Sequence, residues 1–169
     1  MGKEISIMSE HLIVVVNRSL ARFFTLEPVE FPELESGPRI TLRTELENQE
    51  LKDGQEIFSD SKTGRGVAPR GGNVHGYDDK RDQHLDELRR RFAVTVFDQI
   101  QKIAKAEHSR TIILAVSARM RRFLYPHTDT LDRKGYVIHK ISKNIINFSP
   151  ENIHAYLAED GIVPMKKRK

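Results

Sequence analysis

Thr111-Ile112-Ile113-Leu114-Ala115-Val116 carries no charge, and four of its six residues are β-branched. A run this short and this rich in branched side chains suits a strand covered on both faces; a half-exposed strand would alternate apolar and polar residues. His11-Leu12-Ile13-Val14-Val15-Val16 is a second run of the same kind. Together they predict the central strands of a sheet with helices packed on it.

The neighbouring segments extend this reading outward. Asn17-Arg18-Ser19 supplies turn chemistry, and Leu20 to Leu26 returns as a hairpin partner of the first run. Glu27 to Pro38 is acidic and contains three prolines, which predicts a loop, and Arg39-Ile40-Thr41-Leu42-Arg43 alternates like a half-exposed strand. Leu85, Leu88, Phe92, Val96, Ile100 and Ile103 recur at steps of three and four, which predicts a long helix from near Lys80 to residue 106. Arg89, Arg90 and Arg91 fall between them and are expected largely on the exposed side. Ser117 is placed to cap a helix over 118–125 that Pro126 stops, and Gly135 to Ile141 is a further strand. Ser149-Pro150-Glu151 starts a last helix, which carries Ile153, Tyr156 and Leu157 and ends before Gly161. The order β-β-β-α-β-α-β-α predicts the α/β class with a mixed sheet. We expect one domain over residues 1–164, interrupted by a flexible glycine-rich loop over 59–82, and a frayed basic tail over 165–169.

Charge and composition restrict the function. Residues 1–61 hold 6 Lys and Arg against 12 Asp and Glu, whereas residues 62–169 hold 22 against 12. Such asymmetry points to a polyanionic partner on one side of the molecule. There are no cysteines, which removes disulfides, thiolate metal sites and thiol nucleophiles. With acid at Glu4 and an apolar run of only five residues at Leu12 to Val16, neither a signal peptide nor a membrane span is expected. These features suit a cytoplasmic protein.

Four segments, in order, resemble the bacterial host-attachment protein family. They are Asn17-Arg18-Ser19-Leu20-Ala21-Arg22-Phe23-Phe24; Ser59-Asp60 with Gly64-Arg65; Leu114 to Met120; and Ile138 to Asn144 with Phe148-Ser149-Pro150. The resemblance runs from about residue 12 to 157. That family is similar in fold to the middle domain of archaeo-eukaryotic peptide-chain release factors, whose Gly-Gly-Gln loop precedes a long helix and promotes peptidyl-tRNA hydrolysis. Arg70-Gly71-Gly72-Asn73 stands just upstream of the long helix here, with Asn73 in place of the glutamine. The resemblance therefore implies Gly71, Gly72 and Asn73 as catalytic candidates. Paired glycines admit close approach to an ester, and an amide can hold water or steady an oxyanion. Asn73 argues against hydrolysis, because its amide is one methylene short.

For RNA the candidates are Arg65, Arg70, Lys80, Arg81, Arg89, Arg90, Arg91 and Arg119, with the ribosome, tRNA or other RNA as partner. No cofactor motif is present, since Gly64-x-Gly66 lacks the rest of a phosphate-binding loop. His75, Asp78, Asp79 and His84 are ordinary in a polar loop, and no metal is expected. Two functional readings stand side by side: a release-factor-like, translation-associated domain that binds the ribosome or RNA, with peptidyl-tRNA hydrolysis through the 70–73 loop left open, and a non-catalytic protein-interaction module of the same fold.

Overall fold

The computed structural model describes residues 10–50 and 72–167, with side chains in the long helix described from Lys80 onward. Strands β1 (His11–Val16), β2 (Leu20–Glu27) and β3 (Arg39–Glu47) are followed by helix α1 (Gly72–Glu107) and strand β4 (Thr111–Val116). Helix α2 (Ala118–Leu124), a 3-10 turn (Tyr125–His127), helix α3 (Thr128–Arg133), strand β5 (Val137–Ile141) and helix α4 (Pro150–Glu159) complete the order. The five strands form one mixed sheet in the order β3-β2-β1-β4-β5. β1, β4 and β5 are mutually parallel, with His11 level with Thr111 and Thr111 level with Val137. β2 and β3 run antiparallel to their neighbours. The fold is thus α/β, and the two apolar runs lie at its centre with Leu12–Val16 and Ile112–Val116 buried.

Alternation along these strands sends side chains to two cores. Leu12, Val14, Val16, Ile112 and Leu114 meet α1, α2 and α3 on one face through Phe92, Val96, Ile100, Met120 and Leu131. Ile13, Val15, Phe24 and Ile113 meet Ile145, Ile153 and Leu157 of the α4 side on the other. Burying each large side chain contributes about 1.5–3 kcal/mol, so the double cover makes these strands the anchor of everything else.

The structure departs from the sequence expectation at several points. The expected loop over 59–82 lies outside the described residues as far as Gly71, and from Gly72 the chain is already helical. Residues 88–104 fix α1 against the sheet, so further turns add without a second nucleation step, and this offsets the helix cost of Gly76, about 1 kcal/mol. Arg89 is buried rather than exposed, because Ala93, Ile100 and Ala104 widen the apolar stripe to its side of the helix. Leu85 is only half-buried. β3 continues four residues past Arg43, which is a bulge: Leu42 pairs with Phe24 and Thr44 with Phe23. The bulge turns Ile40 toward the α4 core and Leu46 toward the α1 core, although sequence alternation alone would place both on one face. Pro126 ends α2, as expected, but the chain continues as a 3-10 turn and α3, held by buried Leu131. Gly135, at φ 98°, closes α3 in the left-handed conformation that glycine adopts freely.

The tail is tied rather than frayed as far as it is described. His154 Nε2 donates to Pro164 O at 2.8 Å, Val163 is buried, and Lys167 N donates to Gly37 O at 2.8 Å.

Candidate nucleic-acid interface

The carboxyl ends of the parallel strands gather three of the four motif segments. At the end of β1, Asn17 Oδ1 accepts from Ser19 N at 2.9 Å and Leu20 N at 2.7 Å, closing the turn that presents Arg18. Asn48 ties β3 to the same turn, its N donating to Ser19 O and its Nδ2 to Arg18 O. At the end of β4, Ser117 N donates to Val16 O and Arg121 Nε to Val116 O at 3.0 Å. The Ser117 side chain makes no cap bond to α2. At the end of β5 follow Ser142, Lys143 and Asn144, whose Oδ1 accepts from Ile146 N. From β4 the chain turns to the α1 face, and from β5 to the α4 face. Adjacent parallel strands whose connections diverge leave a crevice between them, the usual place for a ligand in open α/β sheets.

The α1 arginines are charge-compensated. Arg89 Nη1 lies 2.8 Å from Asp86, and Arg90 Nη1 lies 2.7 Å from Glu87. Arg91 bridges Glu50 at 2.7 Å and Glu87 at 3.2 Å, and Arg122 also holds Asp86. Hydrogen bonds from Arg90 and then Arg91 lower the pKa of Glu87, and the bond to Glu50 raises that of Arg91. The paired charges cancel one another's field. Arg119 differs, being exposed and in no ion pair with a described residue. Lys80 is exposed and Arg81 half-buried. Gly72 and Asn73 are the first two residues of α1, while Arg65, Arg70 and Gly71 lie outside the described residues. The side chains of His75, Asp78 and Asp79 are likewise outside the description, and among the described residues no three His, Asp or Glu gather as a metal site.

Sequence reasoning missed Lys140 and Lys143 as site residues. Lys140 Nζ sits 4.9 Å from the Tyr125 ring, and Lys143 Nζ sits 4.7 Å from Tyr156 and 5.9 Å from Phe148. Neither meets a carboxylate among the described residues. The signal was legible: residues 117–128 and 134–150 contain six Lys and Arg and not one Asp or Glu. Those two segments are far apart in the chain, and only the β4–β5 pairing brings them together. Cations beside aromatic rings suit a phosphate backbone with stacked bases.

A mixed five-stranded sheet with helices on both faces and a basic carboxyl end defines the class of protein. Residues 12–157 match the family described as "Protein required for attachment to host cells", and the chain belongs to that family. No curated protein shows a significant match to it. No helix among the described residues is long and apolar enough to cross a membrane.

Proposed function

We propose that this attachment-family chain is an RNA-binding domain that grips a phosphate backbone with the carboxyl end of its parallel strands, and that it is not a hydrolase. The observation that carries the reading is the concentration of cations without acidic partners among the described residues, Arg119, Lys140 and Lys143, where the connections of β4 and β5 diverge. The resemblance to release factors supports tRNA or the ribosome as the RNA in question. Asn73, with its shorter amide, supports binding without hydrolysis.

Binding of tRNA is expected to weaken with salt, with a log–log slope of about −0.7 per neutralised phosphate. The double variant Arg119→Gln/Lys143→Gln is expected to flatten that slope by about 1.4 if each cation neutralises one phosphate. Arg90→Gln, at an ion-paired position, is expected to leave the slope unchanged. Filter binding over a salt series decides it: salt-independent binding, or none at low salt, would remove the RNA reading. In single-turnover assays with peptidyl-tRNA on ribosomes, the wild type is expected to release no peptide above background. The protein-interaction reading has its own support in the apolar side chains at the other end of the sheet.

A further inference from the structure

Exposed Met165 lines a groove at the amino end of β1, and two further exposed apolar side chains, Phe31 and Leu34, stand on the loop 28–38 that supplies part of its wall. The acidic loop 28–38 and the tail 164–167 enclose a cavity of about 450 Å³ there, floored by Leu26 and Val29. A second cavity of about 750 Å³ continues toward α4, and Pro38 and Met165 stand between the two. Pro28, Pro32, Pro38 and Pro164 wall the first cavity; they are four of the chain's seven prolines and stiffen it in advance of any ligand.

Outside the tail, carboxylates outnumber cations around the groove. Glu10 and Glu35 line the first cavity, and Glu151 and Glu159 the second. Glu30 and Glu33 stand exposed on the loop. Among the described residues, Arg39 is the lone Lys or Arg lining these walls outside the tail, and Glu35 holds it at 3.1 Å. The other two cations, Lys166 and Lys167, belong to the tail, which lies extended along Gly37 through a single antiparallel bridge without filling either cavity. The fold therefore already displays the chemistry it accommodates: an extended backbone, an apolar side chain and consecutive lysines.

We propose that this groove is a docking site for an extended segment of another protein in which an apolar residue sits beside consecutive lysines or arginines. The apolar residue enters the proline-walled cavity and the cations meet the rim carboxylates, as an extended strand beside the chain's own tail. This inference is independent of the RNA reading, since the groove and the cationic crevice lie at opposite ends of a six-residue strand, about 20 Å apart.

A fluorescent heptapeptide with the sequence of residues 163–169 is the probe, titrated into the full chain and followed by anisotropy. Saturable binding at low salt is expected, weakening at least tenfold on moving to high salt. A peptide with glutamate at each basic position is expected not to bind. Glu30→Lys/Glu33→Lys and Phe31→Ser/Leu34→Ser alter exposed positions, and each is expected to weaken binding about tenfold with an unchanged melting temperature. Absence of saturable binding, equal binding of the acidic peptide, or indifference to the apolar double variant would overturn the proposal. The last of these outcomes would reduce the effect to unspecific surface charge.

Discussion

Arg22 shows how a motif residue can serve architecture. Its Nε donates to Glu45 at 3.0 Å, and its Nη1 donates to the carbonyls of Ile146 and Phe148 at 3.0 and 2.9 Å. The guanidinium also packs over the Phe24 ring, 5.0 Å away. One side chain thus fastens β2 to the segment that leads into α4, and a lysine lacks the fork to do so. Arg22→Lys is expected to lower stability by about 1.5–3 kcal/mol, the range for hydrogen bonds to a charged group, read as a lowered urea midpoint at constant slope. Asn17 is likewise engaged by its own turn, and Ser149 Oγ accepts from Asn152 N as the cap of α4. Their residue types made turn and cap legible in the sequence. The carbonyl partners of Arg22 were not, because they lie more than 120 residues away.

Among the elements, what could be read depended on whether the cause was local. β1 and β4 were legible because continuous apolar runs have little alternative, and the α1 stripe because its spacing repeats. α3 and the second half of β3 were not. Leu131 is the single apolar side chain of the first, and a bulge that exists only in register with β2 redirects the second. The amino end of α1 is where local propensity and structure disagree most: glycine and asparagine predict loop, yet the backbone is helical from Gly72. If packing farther along α1 drives those turns, Gly76→Ala is expected to strengthen them by up to about 1 kcal/mol. The readout is slower amide hydrogen exchange across residues 74–80 and a small gain in helical ellipticity. Unchanged exchange there would return the segment to a loop. The same helix explains why three arginines that look like a phosphate-binding face in the sequence are not a free one: carboxylates three and four residues away, and Glu50 from the β3 side, neutralise them.

For the whole molecule, the parallel strands separate two chemistries, with cations beyond their carboxyl ends and an acidic, apolar groove at their amino ends. His11, which lines that groove at the start of β1, couples the arrangement to pH. Burial lowers its pKa; Glu10 opposes the shift and His139 adds to it. The sign follows from proton uptake. In the unfolded chain the imidazole titrates near its usual value, about 6.5, while in the fold it stays neutral to lower pH. Below about pH 6.5 the unfolded state therefore binds a proton that the folded state refuses, and stability declines as pH falls toward the folded value; above it the contribution is fully present. The wild-type melting temperature is expected to fall between pH 7 and pH 5, and His11→Gln is expected to remove part of that slope while leaving the neutral-pH value nearly unchanged. Carboxylates titrate mainly below this window, so the difference between the two curves isolates the imidazole. Parallel curves for wild type and variant would mean that His11 is as well solvated in the fold as in the unfolded chain, and would open the floor of the groove to water.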